Sequence, residues 1–369
     1  MSSSQESIGT SASLAYPVNV PASNLLNGFI GSHVLYALIM TGALETLEQR
    51  AGPIPVAWLA RSTNCDRSAL RSLLRAADRL GLVSFLGARD EVEISQAGRE
   101  AYRVRGYFTA AVGGFGDVFR RLDSITAGSD RFGKSVFQNG SVTALGCSQN
   151  WTFQRPIFDA TTAGVQFTKV ADLGSGAGTR LIHLVASRRN ATGIGIDIDS
   201  GACRLARANI RSAGLDDRIT IVEGDILDVV TEPQEFPEIV DADLVMSYFL
   251  LHHFVDQFVC GASFLRALRL AFTQADQVVF ADGFQESDGA EGEPAPMFTM
   301  AYRLFHDLLG VRLQTLDSQR ALFASAGYQI ARQSPFGHPL EWLFVLRPDR
   351  GKLETCHNVT DPRHQEGRG

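Results

Sequence analysis

The sequence predicts a doubly wound, mainly parallel α/β domain preceded by a smaller α-helical domain with a β wing. Three observations carry this. First, the apolar run Val170–Leu173 leads into glycines at alternate positions, Gly174, Gly176 and Gly178, and an amphipathic helix opens near Thr179. A buried strand, a glycine turn and a helix N-terminus cradle a nucleotide-like ligand, because glycine tolerates positive φ and close backbone approach. Second, four more apolar runs between residues 192 and 282 alternate with helical patterns. That rhythm is the signature of a parallel sheet covered on both faces. Third, residues 54–104 read as helix, turn, helix and hairpin.

Bulk composition fits this. The chain has 369 residues, 45% apolar and 20% charged, which suits a globular protein of two domains. A net charge of −6 argues against nucleic acid or an anionic membrane as the main partner. Five scattered cysteines without a CxxC point to free thiols in a reducing cytoplasm. The start lacks a basic segment followed by an apolar core, so no signal peptide is expected. No apolar run approaches the length of a membrane span.

In chain order, residues 1–22 are rich in Ser, Ala and Pro and are expected to form a disordered arm. A domain over 23–104 follows. Apolar spacing from Leu25 to Leu47 is helical, with a wide apolar face suited to a core or a partner. Pro55–Ala60 is a short helix, Ser62–Asp66 a turn, and Ala69–Leu80 a second helix capped by Asp66 or Ser68 and stopped at Gly81. Val83–Phe85 and Glu91–Ile94 alternate like strands around Gly87–Asp90. A helix-turn-helix with a wing has two readings, a DNA reader or a module for folding and dimerisation. Arg67, Arg71, Arg75 and Arg79 form a basic row, yet the segment holds eight basic against six acidic side chains. Phosphate recognition calls for a stronger bias. Residues 105–168 read as helices and loops that join the domains and roof the pocket, with a Gly/Ser/Asn-rich stretch from Gly128 to Gly146.

The catalytic domain is expected over 169–348. Strands are predicted at Val170–Leu173, Thr192–Asp197, Ile219–Val222, Ala242–Met246, Val278–Asp282 and Leu343–Leu346. Helices are predicted from Thr179 to Arg189, Asp199 to Gly214, Phe258 to Ala271, Met297 to Leu309 and Ser318 to Gly327. Residues 283–296 read as a loop, and 349–369 as a flexible tail.

Alternate glycines alone are a weak signal, since dinucleotide folds begin similarly. The surrounding acids narrow it. Asp172 precedes the first glycine, Asp197 ends the next strand 19 residues after Gly178, and Glu223-Gly-Asp225 follows the third strand. The third glycine of the dinucleotide pattern is missing. So many carboxylates suit a cationic sulfonium that carries an ammonium, ribose hydroxyls and an adenine amino group.

On these residues, 170–282 resembles the class I S-adenosylmethionine-dependent methyltransferases. The resemblance implies a Rossmann-like domain in which Asp172, Gly174, Gly176 and Gly178 form the first motif. It implies that Asp197 binds the ribose and that Asp225, with Ile226 after it, lies beside the adenine. Ser247 and Tyr248 would line the sulfonium and substrate. More loosely, the whole chain is similar to the plant-type O-methyltransferases and their bacterial small-molecule relatives. In those, the winged helix swaps helices across a homodimer and does not touch DNA.

The stretch Ser247–Phe254 follows the fourth strand at the carboxyl edge of the sheet, where α/β sheets bind ligands. Plant-type O-methyltransferases carry Leu-His-Asp-Trp here, with the His as general base. His252 matches that His, while His253 replaces the Asp. Asp282, ending the fifth strand, matches the acid that orients the base. Two chemistries compete. In one, His252 deprotonates a hydroxyl. In the other, His252 and His306 bind a divalent or trivalent metal such as iron, which activates an α-keto acid for methylation at its β-carbon. The second resembles the bacterial α-keto-acid C-methyltransferases, the phenylpyruvate type among them, which hold metal with one His after strand four and one on a later helix. Asp282 and Asp307 are candidates to fix the imidazole tautomers. His183 and His338 read as structural, Trp58 as core, and Trp151 and Trp342 as possible walls of an aromatic pocket. The reading is a cytoplasmic, homodimeric small-molecule methyltransferase of specialised metabolism. The contrasting class is a winged-helix regulator that senses a ligand.

Overall fold

The computed structural model describes residues 21–255, 262–285 and 299–349. The chain divides into two compact units, Met1–Gly98 and Arg99–Gly369. Most of the expected disordered arm and tail lies outside the described residues. No helix among the described residues is long and apolar enough to cross a membrane.

In the first unit, the single helix expected over Leu25–Leu47 is two helices, Pro21–Met40 and Ala43–Glu48. The apolar spacing runs on across the break, but Gly42 sits at φ 73°, a region that favours glycine. The first helix buries Val34, Leu35, Leu38 and Ile39, whereas Leu25, Leu26, Phe29 and Ile30 face outward. Helices Val56–Ser62 and Arg67–Arg79 follow, and the Asp66 carboxylate caps the second by accepting from the Ala69 N–H at 2.8 Å. Strands β1 (Ile54–Pro55), β2 (Val83–Leu86) and β3 (Glu91–Ile94) form a sheet in the order β1-β3-β2. Spacing revealed the hairpin and missed β1, which is only two residues long.

The basic row is largely engaged at home. Asp90, in the wing turn, accepts from Arg67 and Arg71 at 2.7 Å each. Arg71 and Arg75 also lie over the Phe85 ring, 5.8 and 5.7 Å from its centre. Asp90 and the Phe85 ring thus hold three of the four guanidiniums against the wing, which weakens the support for a DNA-reading face.

The second unit is built on a seven-stranded sheet. Its strands are β4 (Lys169–Leu173), β5 (Thr192–Asp197), β6 (Ile219–Glu223), β7 (Leu244–Tyr248), β8 (Gln277–Gly283), β9 (Tyr328–Pro335) and β10 (Glu341–Pro348). Their spatial order is β6-β5-β4-β7-β8-β10-β9. The five strands from β4 to β8 pair in parallel, while β10 runs antiparallel to β8 and β9 antiparallel to β10. Side chains alternate between two apolar layers. Ala171, Val245, Val278 and Phe344 pack on one face, and Val170, Leu244, Val279 and Leu343 on the other.

Three differences from expectation bear on the site. Strand β9 was not foreseen. β7 extends to Tyr248, so Ser247 and Tyr248 are its last residues and are buried, not loop residues beyond it. The Gly128–Gly146 stretch gives way at Gly140 to a long helix, Gly140–Thr162, capped by the Asn139 side chain on the Val142 N–H. Of the helix expected over Phe258–Ala271, Ser263–Ala271 is described. Of the helix expected from Met297, Thr299–Leu309 is described. Most of the 283–296 loop lies outside the described residues.

Candidate active site

The glycine turn after β4 has the strained backbone its sequence implies. Gly174, Gly176 and Gly178 all have positive φ, at 76°, 53° and 71°. The positive φ at Gly174 favours glycine, and a Cβ there would press on the Leu250 side chain at 3.0 Å. Gly174 and Ser175 donate to the Ile196 carbonyl at 2.9 and 3.0 Å, which folds the turn back onto β5.

Asp197 locks that fold. One carboxylate oxygen accepts from the Gly176 N–H at 2.8 Å and the other from the Asp199 N–H at 2.9 Å. Each oxygen keeps a further lone pair for a ligand hydroxyl. Burial raises its pKa, and the two backbone donors work against that. Asp225 caps the helix Ile226–Thr231 through the Leu227 N–H at 2.9 Å, with Ile226 buried beside it. The carboxyl ends of β4, β5 and β6 thus present Asp172, Asp197 and Asp225 along one edge. Ser247 plays a bracing part: its hydroxyl donates to the Leu173 carbonyl at 2.9 Å and ties β4 to β7.

Asp172 is 2% exposed, and its Oδ1 has no partner. Burial pushes its pKa up to about 7, although the Arg180 guanidinium pulls it down. Arg180 lies 4.2 Å over the Tyr248 ring. Its Nε, and the Tyr248 hydroxyl, are also buried without partners. Buried polar atoms are normally paired, so these three orphans in one neighbourhood call for a polar ligand. An amino-acid ammonium and carboxylate, such as S-adenosylmethionine carries, satisfy both signs of charge.

The second cluster lies past β7. His252 begins the short helix His252–Val255, and His306 sits within Thr299–Leu309. Asp282, at the end of β8, accepts from the His252 Nδ1 at 2.6 Å and from the His252 backbone N–H at 3.0 Å. A carboxylate only accepts, so the His252 proton sits on Nδ1. The His306 Nδ1 lies 2.6 Å from the Tyr302 carbonyl, which likewise only accepts. Both rings therefore turn an Nε2 lone pair inward, and the two Nε2 atoms are 2.9 Å apart.

His253 joins them, its ring centre 4.2 Å from that of His252 and 5.5 Å from that of His306. One ligand atom from each of the three lies within 4.8 Å of the others. Burial, reinforced by the neighbouring His252, lowers the His306 pKa to about 4. Burial, with His252 and His306 nearby, lowers that of His253 to about 2. Inward-facing imidazoles whose outer nitrogens are held by carboxylate and carbonyl acceptors are a donor set that suits a transition metal. These residues fit such an ion.

The other candidates fall elsewhere. Asp307 makes an exposed ion pair with Arg303 at 3.8 Å and does not touch His306. His183 bonds Asp159 at 2.6 Å, and the His338 Nδ1 accepts from the Leu340 N–H at 3.1 Å. Trp58 is half-buried beneath Arg50, Trp151 packs on Phe158, and the Trp342 indole donates to the Pro339 carbonyl. Arg180, Tyr302 and Glu341 were missed in the sequence, because none belongs to a local pattern.

Residues 170–270 match the model of a methyltransferase domain. A methyltransferase of Aspergillus campestris is 26% identical over 85% of this chain and 92% of its own length. The chain is an S-adenosylmethionine-dependent methyltransferase. A second relative, the 2-ketoarginine methyltransferase of Streptomyces arginensis, is 24% identical over 84% of this methyltransferase and 89% of its own chain. The solved human N-acetylserotonin methyltransferase, in complex with S-adenosylmethionine, shares the fold. It has a TM-score of 0.64 at 18% identity, covering 92% of this chain and 99% of that one. Mitomycin 7-O-methyltransferase aligns with a TM-score of 0.60 at 18% identity, covering 89% and 96%.

One prediction belongs to the glycine turn. Replacing Asp197 by alanine removes two backbone bonds and the lone pairs left over for the cofactor. Hydrogen bonds to a charged group are worth about 1.5–3 kcal/mol each, so cofactor affinity is expected to fall about 10²-fold. Calorimetric titration with S-adenosylhomocysteine measures this, and an unchanged Kd would sink the role given to Asp197.

Proposed function

We propose that this methyltransferase transfers its methyl group to the β-carbon of an α-keto acid, with a metal ion held by His252 and His306 and a third donor in His253. The observation that carries this reading is the pair of Nε2 lone pairs facing each other at 2.9 Å. Two acceptors in that position repel unless a cation or a proton lies between them. Burial disfavours a proton on His306, whose pKa it lowers to about 4.

The cofactor supplies an electrophilic methyl on a sulfonium, and the metal supplies Lewis-acid polarisation that acidifies the C–H next to the keto group. The chain's residues do the rest. Asp282 and the Tyr302 carbonyl hold both imidazole tautomers. His252 and His306 are 3% and 6% exposed, so water is kept from them. Asp172 and Arg180 orient the amino-acid end of the cofactor. In the net reaction the β-carbon loses a proton that ends in bulk solvent, a C–C bond replaces the methyl–sulfur bond, and the neutral thioether departs. Support also comes from the 24% identical relative, whose name specifies a keto acid as substrate.

A second reading, metal-free O-methylation, rests on the His252–Asp282 bond of 2.6 Å, the arrangement of a general base and its orienting acid. It leaves unexplained why the basic nitrogen faces another imidazole. Metal analysis of the purified protein, followed by methyl-transfer assays on keto acids and phenols with and without chelator, separates the two. A metal-free preparation that methylates phenols and ignores chelator overturns the first reading.

We propose further that the enzyme works as a homodimer. Leu25, Leu26, Phe29 and Ile30 form an outward apolar stripe on helix Pro21–Met40, with Leu25 78% and Phe29 63% exposed. A stripe of this kind marks an interaction face. The double variant Leu26→Asp, Phe29→Asp is expected to sediment as a monomer where the wild type sediments as a dimer. A monomeric wild type contradicts the proposal.

A further inference from the structure

Glu341 opens β10, directly across from Gly283 and next in register to the Asp282–Trp342 pair. Its carboxylate accepts from the Tyr107 hydroxyl at 3.1 Å and from the Gln154 amide at 3.5 Å. No cation pairs with it among the described residues. Arg180, the charge that most lowers its pKa, instead donates to the Gln154 Oε1 at 3.1 Å. Burial accordingly pushes the Glu341 carboxyl up to about 7. A sequestered carboxylate with only neutral donors is costly, and such groups are kept where a ligand completes them.

A space for that ligand adjoins it. Glu341, Thr299, Tyr302 and Gly283 line a cavity of about 20 Å³. That volume admits a single water-sized group, the size of an amino group and far short of an aromatic ring. The Thr299 hydroxyl is also buried without a partner. The wall is tight: a Cβ on Gly283 would stand 2.8 Å from the Tyr302 ring. The carboxylate accepts and the hydroxyl can also accept, so a small donor group such as an ammonium matches the space. Tyr302 connects this cavity to the histidines, because its ring forms one wall and its hydroxyl lies 3.3 Å from the His252 Nδ1.

We propose that Glu341 sets substrate specificity by receiving a cationic nitrogen, an ammonium tip, on the side chain of the substrate. This rests on the keto-acid reading above: the acid's reacting end lies at the histidines and its side chain passes Tyr302 to Glu341. A purely structural Glu341 would only brace the helix Gly140–Thr162 against β10, and its loss would weaken turnover of every substrate alike.

The test compares kcat/KM for two α-keto acids of equal length, one ending in an amino group and one in a neutral alkyl group. Both are assayed with the metal-loaded full-length enzyme and with Glu341→Gln, which keeps the size of the side chain and one acceptor oxygen for the Tyr107 hydroxyl while removing the charge. The wild type is expected to prefer the cationic acid by about 10²-fold, and E341Q to lose at least about tenfold of that preference, through KM. Cofactor Kd and Tm are expected to stay unchanged. A wild type that prefers the neutral acid, or the same ratio in both proteins, overturns the Glu341 subsite and leaves the keto-acid reading intact. If phenols are methylated and neither keto acid is, the keto-acid reading falls and the subsite with it.

Discussion

Replacing His306 by alanine is expected to reduce methyl transfer to α-keto acids by about 10³-fold or more while leaving cofactor affinity in place. Losing an outer partner of a metal ligand costs about 10–100-fold, and removing a ligand itself costs more. The Asp197–Gly176 lock belongs to the other end of the sheet edge and does not involve His306. Metal content per chain is expected to fall towards zero together with activity. His306 is buried, so the alanine variant also leaves a cavity. His306→Gln, which fills most of that space with a poor metal ligand, controls for this and is expected to be equally inactive with a near-normal Tm. The metal-free reading makes the opposite forecast. There His252 is the base, His306 is only a neighbour, and H306Q retains activity on phenols.

The sheet was largely legible because its central parallel strands are buried on both faces and read as near-continuous apolar runs. The Ile and Val content of Thr192–Asp197 and Ile219–Glu223 marks them without ambiguity. Strand β9 stayed hidden for the converse reason. It lies at the sheet edge with most of its length exposed, and its sequence, Tyr328-Gln-Ile-Ala-Arg-Gln-Ser-Pro335, has no apolar alternation. The break at Gly42 was hidden because the 3.6-residue spacing resumes beyond it and one αL residue leaves no trace in periodicity.

The site divides along the same line. Gly174, Gly176, Gly178, Asp197 and Asp282 could be read because each stands at a fixed place relative to a strand end. The histidine pair came from the family resemblance alone, since 54 residues separate His252 from His306 and no spacing rule links them; the fold adds that their Nε2 atoms lie 2.9 Å apart. His253 stood next to His252 throughout, yet only the helical turn at His252–Val255 brings its ring towards His306. Glu341 lies further from reach. Its partners come from position 107, position 154 and, through the cavity, position 302, and nothing local distinguishes it from a solvent-exposed glutamate at the start of a strand.

Asp282→Asn offers the sharpest separation of the two chemistries. The carboxylate accepts three bonds, from the His252 N–H, the His252 Nδ1–H and the Gly283 N–H. An amide cannot accept all three. If its NH2 takes the Oδ2 place, it meets the His252 backbone N–H, and one buried donor is left unpaired at about 1–3 kcal/mol. If its NH2 takes the Oδ1 place, it donates to the His252 Nδ1, which forces the ring proton to Nε2. The inward lone pair then disappears. Metal affinity is expected to fall about 10–100-fold, with methyl transfer to keto acids falling in step at limiting metal and recovering substantially as metal is raised. Under the metal-free reading the same substitution strips His252 of its basic nitrogen and its orienting charge, and added metal restores nothing. Measuring D282N activity across a metal titration therefore decides between an imidazole that ligates and one that takes a proton. Activity that stays flat and low across the titration would exclude the metal reading.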